Sequence, residues 1–251
     1  MIWRWRIFFS ALPHGRGSVL GTGCLLALLA LRLSAGTVSG DVQLLSDSKG
    51  HRQKDSSGVA VWLTTPAKGG ARAPKRRALM EQKDKKFTPH VLVIETGTTV
   101  DFPNLDPIFH NAFSNFNGQI FDLVLYPPGT SQSVRFRRPG IVRVFCNIHP
   151  SMSAVIAVVN SSYFATTEDD GSFSIPDVPA GAYQVHFFHE QATPENLDRL
   201  TTSVSVTAGV SKLQPVSISE TGYLPVAHKN KYGRDYPPNA EGQATYSGLA
   251  K

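Results

Sequence analysis

Cysteine is nearly missing from this chain, which has only Cys24 and Cys146 in 251 residues. Two cysteines permit one internal disulfide at most, so no disulfide framework substitutes for a hydrophobic core. A long apolar run is also lacking. The segment "CLLALLALRL" is interrupted by Arg32 and is too short for a membrane span. It follows a basic, acid-free lead with Arg4, Arg6 and Arg16 and runs into the small residues "SAG", which is the outline of a secretory leader. The expectation is cleavage after Gly36 and a periplasmic or secreted protein with no membrane span after cleavage; an uncleaved N-terminal anchor is the alternative. "LGTGC" precedes most of the apolar run, so Cys24 does not read as a lipoprotein cysteine. Cleavage would leave Cys146 as the one thiol and exclude a disulfide within the chain. In an oxidising compartment such a thiol is expected to be deeply buried, paired between chains, or held by a metal.

Helical periodicity is absent past the leader. "VSGDVQLL" and "GVAVWLTT" read as strands on either side of a polar stretch, and "HVLVIETGTTVDFPN" as two strands about the turn "ETG". In "SQSVRFRRPGIVRVFCNIHPSMSAVIAVVN", Val134, Phe136, Val142, Val144 and Cys146 alternate with exposed positions, "RRPG" turns, and Val155 to Val159 closes as a buried strand. This pattern predicts a compact antiparallel sandwich over 87–160. Beyond it, "SFSI", "YQVHFF", "TTSVSVTAG" and "LQPVSISE" are further strands, with turns at "EDDG" and "PAG". Residues 221–251 are polar and without period, and are expected to be an irregular tail.

Charge is lopsided. From Arg52 to Lys86 there are ten basic residues against three acidic ones, more than the whole excess of +6. No aromatic residues interleave with the bases of 67–86, and an exported protein meets no nucleic acid, so that partner class is excluded. This stretch reads as a solvated basic loop or linker, or as a docking surface for an acidic partner, with at most one helical turn around Ala78 to Gln82.

The chemistry concentrates in "FCNIHPSM". A thiolate, imidazoles and a thioether are ligands that suit copper, and two histidines with a cysteine plus a weak axial methionine make an electron-transfer copper site. Cys146, His149 and Met152 can reach one ion from a short turn after a strand. A fourth ligand must come from elsewhere, and His110 in "DPIFHNAFSN" follows a strand ending near Phe102. The amide of Asn111 is placed to tie the two ligand loops together. Against this stand the ordinary roles of a packed cysteine and a filler methionine. His149 could also serve a Cys146 nucleophile as base, but nothing in the sequence supplies the rest of a hydrolase, and Met152 would be unexplained. His90 is a weak ligand candidate, while His186 and His189 stand three apart on a strand and point to opposite faces.

"HVLVIETGTTVDFPNLDPIFHNAFS" followed by "GIVRVFCNIHPSMSAVIAV" resembles the cupredoxins, blue copper proteins such as plastocyanin and amicyanin. The likeness covers the His110–Asn111 pair and the Cys-x-x-His loop, with two residues before Met152 as in the short amicyanin type. It implies a Greek-key β-sandwich, one type 1 copper site with His110, Cys146, His149 and Met152 as ligands, and electron exit at an exposed edge of His149 in a patch helped by Ile148 and Pro150. It also implies a redox protein partner, a cytochrome c or a periplasmic dehydrogenase or oxidase, with no substrate transformed. Proteins of this layout are often labelled methylamine-utilisation or plastocyanin-like, which establishes no pathway.

"TTEDDGSFSIPDVPAGAYQVHF" resembles the carboxypeptidase regulatory-like domains, small transthyretin-like sandwiches. Their opening strands match "VSGDVQLL" and "GVAVWL", which here precede the copper segment. The expectation is therefore an all-β chain with residues 37–66 and 161–220 forming one sandwich and the cupredoxin inserted between them. Rival functions are a copper carrier or accessory protein, a structural module that keeps the fold, and a domain of a larger oxidase complex.

Overall fold

The computed structural model describes residues 35–46, 49–65, 76–115, 118–224, 227–238 and 240. Most of the expected leader (residues 1–34) lies outside them, as do residues 66–75 of the basic stretch and 241–251 of the tail. The strands are β1 (Ala35–Leu45), β2 (Ala60–Thr64), β3 (Arg77–Leu79), β4 (Glu81–Lys83), β5 (Lys86–Thr88), β6 (Val91–Glu95), β7 (Thr99–Pro103), β8 (Phe113–Ser114) and β9 (Phe121–Asp122). They continue as β10 (Ser131–Arg135), β11 (Gly140–Phe145), β12 (Ser153–Val159), β13 (Phe164–Thr166), β14 (Ser172–Pro179), β15 (Gly181–Phe188), β16 (Thr202–Val206), β17 (Gly209–Lys212) and β18 (Val216–Ser219). One short helix, α1 (Pro194–Asp198), is capped by Thr193, whose side chain accepts from the Asn196 N–H. The chain is an all-β protein built as sandwiches. Among the described residues no helix is long and apolar enough to cross a membrane.

Two pieces of sequence far apart make the outer sandwich. One sheet runs β14-β1-β17, with β18 also on β1; the other runs β13-β2-β15-β16. Along β1 the inward positions alternate strictly, so Val38, Val42 and Leu44 enter the core while their neighbours stay partly exposed. Val38 pairs with Ile175 and Gly40 with Phe173, so strands from before and after residues 87–160 share a sheet. The core joins Val38, Leu44, Val61, Leu63, Ile175, Val185 and Ile218. Gly171, in the "EDDG" turn, has φ +84° and leaves room for the Val42 carbonyl, which a Cβ would meet at 1.9 Å. Ala35 and Gly36, the last residues before the expected cleavage point, open β1, paired with Pro179 and Val178.

The inner sandwich sets β10-β7-β3 against β6-β12-β11-β8-β9, around Val100, Phe102, Phe136, Val142, Val144 and Ile156. Strand β12 is buried on both faces, which is why it reads as the unbroken apolar run "AVIAVV". Ile156 and Val158 face the inner core, whereas Ala157 and Val159 meet Ala60, Val93 and the ring of Trp62 at the junction with the outer sandwich.

Residues 76–88 correct the sequence reading. Where the sequence allows at most one helical turn, around Ala78 to Gln82, the structure has strands: β3 pairs in parallel with β7, and β4 pairs with β5 as a hairpin. The expected basic linker, 67–86, thus ends inside the inner sandwich. The cause is apolar burial hidden among charges, since Met80 and Phe87 are 0% and 3% exposed.

Candidate metal centre

The ligand loop starts where β11 leaves its ladder. Phe145 pairs with Ser153 of β12 and with Phe113 of β8, and the chain then turns back on itself. The Met152 N–H donates to the His149 carbonyl (3.0 Å), and the Cys146 N–H donates to the Met152 carbonyl (3.1 Å). These bonds close a tight loop with Cys146 at its root. Cys146, His149 and Met152 are all buried, at 0%, 1% and 0% exposure.

His110 comes from the loop between β7 and β8. Its backbone is fixed to Tyr126 by two hydrogen bonds, the His110 N–H to the Tyr126 carbonyl (3.2 Å) and the Tyr126 N–H to the His110 carbonyl (2.9 Å). Its ring sits edge-on to that of His149, with centroids 4.9 Å apart. One ligand atom each from His110, Cys146 and His149 lies within 4.8 Å of the other two, and Cys146 Sγ is 3.8 Å from His149 Nδ1. Met152 shares the core cluster of Cys146.

The two ring nitrogens of His110 have different surroundings. Nε2 is 2.7 Å from a carboxylate oxygen of Asp106 and so donates to it, which leaves Nδ1 with the lone pair. That Nδ1 is buried and has no hydrogen-bond partner. A buried polar atom so left costs about 1–3 kcal/mol, unless a ligand satisfies it. Burial holds the His110 pKa below its ordinary value, against the opposing pull of Asp106, so the ring stays neutral and able to bind a metal. For Asp106 burial pushes the pKa up, but donation from the Lys85 N–H, His110 and the Asp84 N–H outweighs it and the carboxyl lies below its usual range.

The Asp106 carboxylate is held by the β4–β5 hairpin. Asp84 and Lys85 form its two-residue turn, each with φ +54°, and their N–H groups donate to Asp106 at 2.7 and 2.9 Å. Asn104 organises the loop between, accepting from the Asp106 N–H (3.1 Å) and donating to the Ile108 carbonyl (2.8 Å).

Asn111 links the two ligand loops. Its side-chain oxygen accepts from the Asn147 N–H (3.0 Å), and its amide donates to Asp122 (2.8 Å). Sequence reasoning missed Asp106, although an acid four residues before a histidine is the signal that would have found it. It also missed Tyr236, His228 and Lys231, which sit on the Cys146 loop from the tail.

His90, His186 and His189 lie elsewhere. His90 pairs with Glu190 (2.6 Å), His189 with Glu220 (2.8 Å), and His186 stacks on Trp62. The exposed His149 edge implied by the resemblance is not there. Residues of 227–236 bond to the loop beside it, and Ile148 and Pro150 are only partly exposed.

No protein-family model matches the chain, and no curated protein matches it. Solved structures do resemble it in part. A copper-containing nitrite reductase from Thermus scotoductus SA-01 shares 29% identity over 38% of this chain, with a TM-score of 0.33. A purple cupredoxin from Nitrosopumilus maritimus shares 24% over 33% (TM-score 0.30), and a reduced Cu(I) form of an amicyanin variant shares 17% over 39% (TM-score 0.31). The likeness takes in 25% of the reductase chain, 99% of the purple cupredoxin and 98% of the amicyanin.

Proposed function

We propose that the inner sandwich is a cupredoxin-type domain whose site holds one type 1 copper ion, and that the protein carries single electrons between redox partners. The observation that carries this reading is the buried, unpartnered Nδ1 of His110 beside the Cys146 thiol and the His149 ring. A thiolate with two neutral imidazoles selects copper over hard cations, and a methionine on the same loop supplies the weak fourth donor. Copper held there would supply one-electron chemistry between Cu(I) and Cu(II).

The residues around the site serve that role by staying still. Asp106 fixes the ring orientation and tautomer of His110, Asn111 fixes the spacing of the two loops, and the core on β11 and β12 anchors the cysteine. A site that does not rearrange exchanges an electron with little reorganisation. A thiol-hydrolase reading is disfavoured by the burial of both Cys146 and His149, which leaves a substrate carbonyl no approach.

The outer sandwich is proposed as a transthyretin-like carrier, and the partner as an exported redox protein such as a cytochrome c. The test is copper stoichiometry together with a redox titration of the loaded protein. One tightly held copper per chain with fast, reversible reduction supports an electron carrier. Ready transfer of the ion to an apo acceptor supports a copper-delivery protein instead.

A further inference from the structure

Where the Cys146 loop leaves its strand ladder, its carbonyl groups need partners from outside. Two of them find partners in the tail. The Tyr236 hydroxyl donates to the Cys146 carbonyl (2.7 Å), and His228 Nε2 donates to the Pro150 carbonyl (2.7 Å). The His228 ring also stacks on Phe145, with centroids 4.0 Å apart and planes within 20°. Between them the Lys231 N–H donates to the side chain of Asn147 (3.0 Å), and Lys231 Nζ reaches Asp122 (2.8 Å), the same carboxylate that accepts from Asn111.

These contacts touch Phe145 at the end of β11 and Cys146, Asn147 and Pro150 of the loop that follows it. The segment that makes them has no strand or helix and little apolar surface of its own. Ordering it costs about 1–2 kcal/mol per residue in backbone entropy, so contacts with the loop have to offset that cost. The turn at Asn230–Arg234 is internally bonded, through the Asn230 N–H to the Arg234 carbonyl (2.9 Å) and the Gly233 N–H to the Asn230 carbonyl (2.9 Å). It brings His228 and Tyr236 side by side, ring centroids 5.2 Å apart.

We propose that residues 227–238 are a strap belonging to the metal centre, in which His228 and Tyr236 position the Cys146–Met152 loop and close the His149 side of the site to solvent. They are positioning residues and touch no metal. The inference rests on the metal-site reading only for its copper measurement. His149, on the loop so held, is 1% exposed.

The test uses the full-length, metal-free protein and the rate at which Cys146 reacts with a chromogenic aromatic disulfide at fixed pH. Tyr236→Phe keeps the ring and removes one hydroxyl; the double variant with His228→Ala removes both hydrogen bonds to loop carbonyls and the stack on Phe145. The expected result is thiol reaction about tenfold faster in the double variant, the scale of one or two lost hydrogen bonds, with far-ultraviolet dichroism unchanged. Tyr236→Phe alone is expected to fall between, so the test stands even if the double variant does not fold. In copper-loaded protein the same variants are expected to lose the ion faster to a chelator and to shift the thiolate-to-copper absorption band. Unchanged thiol rates in the folded variants would overturn the strap. A wild type that shows no such band counts against copper and leaves the thiol result standing.

Discussion

At the scale of single residues, the site depends on which nitrogen of His110 carries the proton. Asp106 decides this by accepting from Nε2, so that the buried Nδ1 keeps its lone pair. Asp106→Asn keeps one acceptor and removes the charge. It is expected to weaken copper binding about 10–100-fold, measured by competition with a chelator of known affinity; an unchanged affinity would mean that Asp106 does not orient the ring. Cys146, His149 and Met152 could be read from the sequence because they lie within seven residues of one another and their donor types belong together. His110 was within reach because "FHNAF" follows a strand. The spacing of Asp106 four residues before His110 was there to read, but its support was hidden, because Asp84 and Lys85 are some twenty residues upstream in a stretch that looks like a solvated charge run.

Among the elements, the β4–β5 hairpin turns a stretch of lysines into a support for the site. Its turn needs φ > 0 at both central residues, and Asp84-Lys85 meets this need with two side chains instead of the favoured Asp-Gly. Lys85→Gly is therefore expected to stabilise the fold by about 0.5–1 kcal/mol in denaturant unfolding, with copper affinity retained because the bond to Asp106 comes from backbone. Destabilisation would show that the Lys85 side chain outweighs the turn. Strands with clean alternation, such as β1, were legible in the sequence. β3, β4 and β5 were not, because each is three residues long and most of their positions are charged or polar. Residues 227–238 offered no periodic signal either, since their contacts go to the Cys146 loop through single hydrogen bonds and follow no repeat.

For the whole molecule, the question is how the two sandwiches are joined. The chain crosses between them twice, and Ala60, Val93, Ala157 and Val159 pack at the junction. Beside this patch His90, from the start of the inner sandwich, pairs with Glu190, from the outer one. Donating to the Glu190 carboxylate raises the His90 pKa above 6.5; burial pushes Glu190 up, but His90 outweighs it and holds Glu190 below 4.5. A raised histidine contributes stability that is complete below its unfolded value and lost as pH rises through the folded one. A lowered carboxylate contributes above its unfolded value and loses that contribution as pH falls. The pair is therefore strongest between pH 4.5 and 6.5. His90 is 48% exposed, so the contribution is at most about 1 kcal/mol. The stability difference between the wild type and Glu190→Gln is expected to be largest in that window and to shrink as pH rises through the raised His90 pKa; a difference independent of pH would exclude the pair as a link. The pairing of β1 with β14 was foreshadowed in the sequence by one motif split around another. The packing of β12 at the junction was not, because a strand apolar on both faces does not say what covers each.

The most direct measurement is the visible absorption spectrum of the purified protein loaded with Cu(II), beside that of Cys146→Ala. The expected result is an intense thiolate-to-copper band in the parent, absent from the variant, at one copper per chain. Copper bound in full with no such band, or a band that survives the substitution, would contradict a site built on Cys146, His110 and His149.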